Sequence, residues 1–118
     1  MTDTRSLAYR MHEAFNSRNF DAADDIFTPD FFSHPLQRSG VEHVKEVWNI
    51  AAQKFPEMRT VVEDVVTDGE RVALRATVSG FPGEEFTMLE MFRVADGRIA
   101  ELWGVSNQSV ANTVRDTV

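Results

Sequence analysis

The segment FRVADGRIAELW, residues 92–103, is the strongest local indicator of the fold. Residues that favour β-strands flank Asp96-Gly97, and an Asp-Gly pair between two such runs is typical of a two-residue hairpin turn. Outward from this hairpin, the second half of the chain contains four β-rich runs: Arg59 to Thr67, Arg71 to Ser79, Glu85 to Ala95 and Arg98 to Asn107. Short turn segments separate these runs, so consecutive runs are expected to pair with each other as an antiparallel meander.

The first half of the chain has apolar residues at helical spacing instead. One amphipathic helix is predicted from Thr4 to Arg18, a shorter helix from Phe20 to Phe27, and a third helix that ends before Pro56. The residues before Pro35 form a short extended piece, because a residue that precedes proline is disfavoured in a helix. The sequence therefore predicts an α+β fold with three N-terminal helices packed on a curved antiparallel sheet, within one domain of residues 1–118.

Both faces of the predicted sheet are apolar in places. Leu89 and Met91 face opposite to Met88 and Phe92, because side chains alternate along a strand. The helices can cover only one face, and we expect a second copy of the chain to cover the other, which predicts a homodimer. Residues 108–118 are compatible with a strand exchanged between partners, a short helix or a frayed end.

Composition excludes several classes of function. The 118 residues include 19 acidic and 12 basic side chains, and the resulting net charge of -7 opposes binding to nucleic acid or to an anionic membrane surface. The chain has no cysteine, which excludes disulfide bridges and thiolate chemistry. No apolar run has the length of a signal peptide or a membrane span, so a cytoplasmic location is expected. Nine phenylalanines against one tyrosine suit an apolar interior or pocket.

The order of these elements, together with Phe32-Ser33-His34-Pro35 and the hairpin of residues 92–103, resembles the SnoaL-like polyketide cyclase family of the nuclear transport factor 2-like (ketosteroid isomerase-like) superfamily. The likeness covers roughly the whole chain, and its most specific part is the pattern Phe-Arg-x-x-Asp-Gly-Arg-Ile-x-Glu-x-Trp. It implies a cone-shaped fold around an apolar cavity that is open at one end and takes a hydrophobic small molecule. For most members it also implies no metal and no organic cofactor.

One departure from the family pattern concerns the expected catalytic residue. In the cyclase members the final strand resembles Trp-x-x-x-Asp, and that aspartate acts as acid and base, whereas this chain has Asn107 four residues after Trp103. Asparagine cannot exchange a proton near neutral pH, although its amide can still orient a carbonyl or hydroxyl group. Whether the chain is an enzyme is therefore open at this point.

Glu90 is the first candidate for acid–base catalysis. Alternation along its strand places it on one face with Met88 and Phe92, so that its carboxylate would lie among apolar groups. The alternative is an exposed ion pair between Glu90 and an arginine such as Arg75 on a neighbouring strand.

The strand register decides what lies beside Glu90. With a two-residue turn at Asp96-Gly97, Glu90 falls opposite Trp103, and its face also includes Asn107. A bulge would shift the pairing by one residue and break this arrangement.

His34 and Arg75 are the other candidate catalytic residues. His34 lies in the extended piece that corresponds, in the family, to the cavity mouth, and could act as the base. The alternative is a neutral imidazole bonded to the backbone. Arg75 could clamp a carboxylate or enolate in the cavity, or lie on the outer, dimer-facing side. His12 and His43 flank helix faces and are interpreted as ordinary, and no histidine spacing typical of a metal site occurs.

Flat and apolar side chains are predicted to bind the substrate together with the amide. The predicted binding residues are Asn107, Trp103, Trp48, Phe32, Met88 and Phe92. The resulting hypothesis is a cofactor-independent enzyme that isomerises, cyclises or hydrates a hydrophobic carbonyl or epoxide compound. The alternative is a non-catalytic binding or dimerisation module of the same fold. A hydrolase that opens epoxides would need an arginine and two carboxylates around one water molecule.

Overall fold

In the part of the chain that the structure describes, two helices come first, two strands lead into a third helix, and four long strands follow. The computed structural model describes residues 3–107, so the C-terminal tail, residues 108–118, lies outside the described residues. The helices are α1 (Thr4–Asn16), α2 (Ala23–Ile26) and α3 (Val41–Lys54), with a 3₁₀ turn at Phe20–Ala22. The strands are β1 (Phe27–Ser33), β2 (Arg38–Ser39), β3 (Arg59–Asp68), β4 (Arg71–Ser79), β5 (Phe86–Ala95) and β6 (Arg98–Ser106). None of the helices within residues 3–107 is long and apolar enough to cross a membrane.

The six strands form one curved sheet in the order β2-β1-β6-β5-β4-β3. Antiparallel pairs join β3 to β4, β4 to β5 and β5 to β6, which confirms the predicted meander. The extended piece before Pro35 is longer than predicted, and as β1 it pairs in parallel with β6. The α+β fold with helices on a curved sheet is therefore as predicted, and the addition of β1 makes the sheet mixed.

The turn between β5 and β6 has the predicted two residues. Asp96 and Gly97 both have positive φ, 53° and 76° respectively, and they join the paired residues Ala95 and Arg98. Positive φ at both central positions is what a type I′ turn requires, and its twist matches that of the flanking strands.

A bulge follows this turn directly. Val94 lies opposite Ile99, whereas Arg93 lies opposite Glu101, so Ala100 is an extra residue on β6. One extra residue transfers every later side chain of that strand to the other face of the sheet.

The helices cover the concave face of the sheet. Helix α1 is capped by Asp3, whose carboxylate accepts a hydrogen bond from the amide of Arg5 at 3.1 Å. The second predicted helix is shorter than expected, because Phe27 already begins β1. Phe92 of β5 and Ile99 of β6 are completely buried beneath the helices.

Candidate active site

A cavity of about 470 Å³ lies between α1, α3 and the concave face of the sheet. Most of its wall is apolar. Its polar lining residues are His12, Ser33, Arg38, His43, Thr60, Glu90 and Ser106. This size and this composition are those of a site for a small, largely hydrophobic molecule.

Glu90 and His12 are in direct contact on the wall of this cavity. Oε1 of Glu90 lies 2.8 Å from Nε2 of His12, and the two side chains are only 12 % and 8 % exposed. Gly104 lies opposite Glu90 on β6. A Cβ at Gly104 would be 3.5 Å from Cγ of Glu90, so the glycine leaves space beside the carboxylate.

The pair continues into a hydrogen-bonded chain toward α1. Nδ1 of His12 lies 2.8 Å from the hydroxyl oxygen of Thr60, which lies 3.4 Å from Oδ1 of Asn16. Asn16 is fixed in turn, because its amide group donates to the carbonyl oxygen of Thr60 at 2.7 Å and accepts from the Thr60 amide at 2.9 Å. The Thr60 hydroxyl can donate to His12 or to Asn16, so this chain satisfies the imidazole in both its neutral and its protonated form.

Three of the residues predicted from the sequence line the cavity together: Glu90, Met88 and Trp48. Phe92 lies on the same face of β5, where it is buried in the core. Alternation along β5 accounts for these positions, since residues 88, 90 and 92 share one face of the strand. Arg75 does not pair with Glu90, because it bonds to Asp64 instead.

His34 lies on the outer face of the sheet, which corrects its predicted place at the cavity. Its Nε2 lies 2.7 Å from Oε2 of Glu101, and its ring stacks on Trp103 with centroids 4.6 Å apart. Phe32 also contacts this ring, edge to face, so its predicted place in the cavity is wrong as well. Phe31 lines the cavity instead, because β1 turns alternate side chains to opposite faces.

Glu101 lies between two basic side chains on this outer face. The hydrogen bond with His34 and then the bond from Arg93, whose Nε lies 3.1 Å from Oε1, hold the pKa of the Glu101 carboxyl below its ordinary value. Glu101, the glutamate of the sequence motif, therefore binds His34 and Arg93 on the outer face and does not reach the cavity.

The bulge at Ala100 explains why Trp103 does not lie opposite Glu90 as predicted. Because of the extra residue, Met91 lies opposite Trp103, and Glu90 faces Gly104. Trp103 therefore lies on the outer face with Met91, and its predicted contact with Glu90 is not formed.

Arg75 and Asn107 also lie outside the cavity. Arg75 is on the outer face, where its guanidinium lies 2.6 Å from Oδ2 of Asp64. Asn107 follows the end of β6 and is exposed, and it does not line the cavity. The combination of Arg75 with Glu90 that epoxide opening would use is therefore not formed.

His12 lines the cavity in contact with Glu90, although its sequence context predicts no role for it. The sequence alone marks it as an ordinary helix residue, although it follows Ala8 by four positions and Met11 by one, next to the buried stripe of α1. The stripe indicated that His12 could be buried. Its partner Glu90 is 78 residues away, so no local pattern could reveal the pair.

Within residues 3–107, no group of three or more histidine, aspartate or glutamate side chains is arranged to hold a metal ion. Comparison with known proteins places the chain in a family. The model of the SnoaL-like domain matches residues 8–102. The chain belongs to the SnoaL-like family. No curated protein matches this SnoaL-like chain.

Several solved structures share the fold over most of the chain. One is IdmH, a candidate polyketide cyclase from Streptomyces antibioticus, with 28 % identity, a TM-score of 0.78, and coverage of 98 % of this chain and 99 % of that chain. A loop-truncation variant of IdmH is 31 % identical over 94 % of this chain and 98 % of that chain, also with a TM-score of 0.78. A candidate polyketide cyclase from Sinorhizobium meliloti is 27 % identical over 85 % of this chain and 94 % of that chain, with a TM-score of 0.76.

Proposed function

We propose that this SnoaL-like protein is a small-molecule enzyme that isomerises or cyclises a hydrophobic carbonyl compound by proton transfer, with Glu90 as the acid–base residue. The observation that carries this proposal is the contact between Glu90 and His12 on the wall of an apolar cavity. Membership of a family with candidate polyketide cyclases among its structural neighbours supports the same class of reaction.

The two oxygens of Glu90 have different surroundings. Oε1 is held by His12, whereas Oε2 has no hydrogen-bond partner within residues 3–107. The carboxylate is thus oriented on one side and able to accept a proton on the other. A base that is positioned in this way within an apolar space is suited to removing a hydrogen from the carbon next to a carbonyl group.

The proton can then follow two routes. In an isomerisation, the protonated Glu90 returns the proton to a different carbon of the same enolate. In a cyclisation, the enolate carbon forms a bond to a second carbonyl carbon, and Glu90 gives the proton to the resulting alkoxide oxygen. Both routes return Glu90 to its starting form, and neither route needs an oxidant or a second substrate.

Glu90 supplies a carboxylate that the last strand lacks. The resemblance to cyclase members implies an aspartate at the position of Asn107, and the amide at this position is exposed outside the cavity. Glu90 comes from the neighbouring strand and lies on the cavity wall. Loss of the family aspartate is therefore compatible with catalysis from another position.

The experiment that tests this function uses β-tetralone, a bicyclic ketone with acidic hydrogens next to its carbonyl group. In deuterated water at neutral pH, the native protein should accelerate the exchange of these hydrogens above the rate in buffer, as followed by mass spectrometry. Binding without faster exchange would contradict the enzyme and support a non-catalytic binding module; titration calorimetry measures such binding.

We also propose that the protein forms a homodimer through the outer face of the sheet. Leu89, Met91 and Val105 are 50 %, 40 % and 69 % exposed on this face. Leu89 lies directly opposite Val105, and with Trp103 these residues line a shallow depression of about 430 Å³. A contiguous apolar surface of this kind is typical of an interface, and two copies of the same patch fit a two-fold axis.

Replacing Leu89 by aspartate should weaken the dimer about a hundredfold, because a charged carboxylate of each copy would have to leave water at the interface. Sedimentation equilibrium measures the change. Tyr9→Asp is the matched control, since Tyr9 is 46 % exposed on α1, away from the sheet. A native protein that stays monomeric, or an equal loss in both variants, would exclude this interface.

A further inference from the structure

Arg38 is a basic side chain on the cavity lining that the proposed reaction does not use. It belongs to β2, the edge strand of the sheet, and it is exposed. No carboxylate of residues 3–107 forms an ion pair with it, and no carbonyl group of this part of the chain accepts a hydrogen bond from it. Its guanidinium is therefore available at the rim of the cavity.

The backbone around Arg38 is fixed by local structure. Gln37 has a φ of 54°, in the left-handed region that residues other than glycine rarely adopt. Its side-chain amide donates a hydrogen bond to the carbonyl oxygen of His34 at 2.7 Å. On the other side, the amide of Gly40 donates to the carbonyl oxygen of Phe31 at 2.7 Å. Arg38 itself pairs with Ser33 of β1. These contacts fix the position of Arg38 beside the cavity.

The surroundings of Arg38 favour an anion. Among the described residues that line the cavity, Arg38 is the only lysine or arginine, and most of the other arginines of the chain are engaged with carboxylates or carbonyl groups. The neighbouring cavity wall is largely apolar, so an anion bound at Arg38 would be only partly solvated. A guanidinium offers a planar pair of donors that matches a carboxylate or a phosphate.

We propose that Arg38 binds an anionic group of the substrate, which makes the substrate a hydrophobic carbonyl compound with a carboxylate or a phosphate at the end remote from the reacting carbon. This proposal rests on the proposed function, because Glu90 defines the reacting end. The orientation of the substrate follows: its apolar body fills the cavity, its carbonyl end lies at Glu90, and its anionic end lies at the rim.

The sheet limits the distance between the two ends. Three strand-to-strand steps separate β2 from β5, which is about 14 Å perpendicular to the strands. Along the strands the offset is two residues, about 7 Å, because Arg38 is level with Leu102 whereas Glu90 lies opposite Gly104. The position that a Cβ at Gly104 would occupy lies 3.5 Å from Cγ of Glu90 and 3.7 Å from Cγ of Pro35, so the turn that leads into β2 comes close to Glu90. One extended molecule can therefore reach both side chains.

The test uses three naphthyl ketones that share a saturated chain of suitable length. One chain ends in a carboxylate, one in the methyl ester of that acid, and one in a phosphate monoester. Titration calorimetry on the native protein should show tighter binding of the anions than of the ester. Arg38→Gln should weaken binding of the preferred anion about tenfold and leave the ester unchanged, since a charge-assisted hydrogen bond is lost.

Arg98→Gln is the matched control, because Arg98 follows the β5–β6 turn and does not line the cavity. This variant should bind all three ketones as the native protein does. A stronger preference for the carboxylate or for the phosphate identifies the anion, and loss of either preference in Arg38→Gln supports the site. Equal affinity for acid and ester, an equal loss in both arginine variants, or no binding of any ketone would overturn it.

Hydrogen exchange on β-tetralone tests the proton-transfer function without testing the anion site at Arg38. β-Tetralone carries no anionic group, so Arg38→Gln should exchange its hydrogens at the native rate. If the native protein fails to exchange β-tetralone but shows the anion preference, the proton-transfer function is wrong and the anion site stands. If exchange occurs without the preference, the anion site is wrong and the function stands.

Discussion

Replacing Glu90 by glutamine should lower the protein-catalysed exchange of β-tetralone hydrogens by about 10²- to 10⁴-fold, the range attributed to a positioned general base. Glutamine has nearly the same shape and can still bond to Nε2 of His12, so the cavity is expected to keep its form. Its amide cannot accept the substrate proton near neutral pH. The rate constant for exchange, measured by mass spectrometry under saturating ketone, checks this expectation.

The matched control for this substitution is Glu63→Gln. Glu63 lies on β3 and is exposed, and its carboxylate bonds to the hydroxyl of Thr77 at 3.1 Å, away from the cavity. The exchange rate should stay at the native value in this variant. If Glu90→Gln retains the native rate while it still binds β-tetralone, the base is another group and the assignment of Glu90 is wrong.

The fold could be predicted largely from the sequence because its signals are local. The Asp96-Gly97 turn, the alternation along β5 and the helical stripe of α1 each depend on neighbouring residues. The pairing of β1 with β6 has no such signal, since it joins Phe27 to Ile99 across most of the chain. Parallel pairing across that separation depends on tertiary packing, which a short sequence window does not contain.

The candidate site could be predicted only in part, for the same physical reason. Alternation within a single strand predicts the face of Glu90, which lines the cavity. The predicted face of Trp103 is wrong because one extra residue, Ala100, reverses the faces of β6, and a bulge within a β-rich run has no evident sequence signal here. His12 acquires its role only by contact with Glu90, and that contact is formed by the packing of α1 on the sheet.

Gly80 should be the glycine whose replacement by alanine costs the most stability, about 3–5 kcal/mol of unfolding free energy. It has a φ of 76°, which alone disfavours alanine, and an added Cβ would lie only 1.9 Å from the carbonyl oxygen of Glu57. That oxygen belongs to the backbone and cannot turn aside as a flexible side chain would. Urea unfolding followed by circular dichroism measures the change.

Gly69→Ala separates the two contributions. Gly69 has a φ of 60°, but no heavy atom lies within 4 Å of its would-be Cβ. This variant should lose only the cost of the left-handed conformation, about 1–2 kcal/mol. If both variants lost the same free energy of unfolding, the contact between the added Cβ and the carbonyl oxygen of Glu57 would not contribute to the loss. Failure of Gly80→Ala alone to fold would be the extreme form of the expected result.

The close approach at Gly80 also has a consequence for the cavity. The next residue, Phe81, packs against Phe55 at a centroid distance of 4.5 Å and against Phe86 at 5.6 Å. These rings belong to the apolar cluster that includes the cavity residues Met58 and Met88. Moving the loop away from Glu57 would draw Phe81 out of this cluster and loosen that end of the cavity. Gly80→Ala should therefore weaken binding of β-tetralone, whereas Gly69→Ala, with the same backbone strain in a distant turn, should bind it as the native protein does.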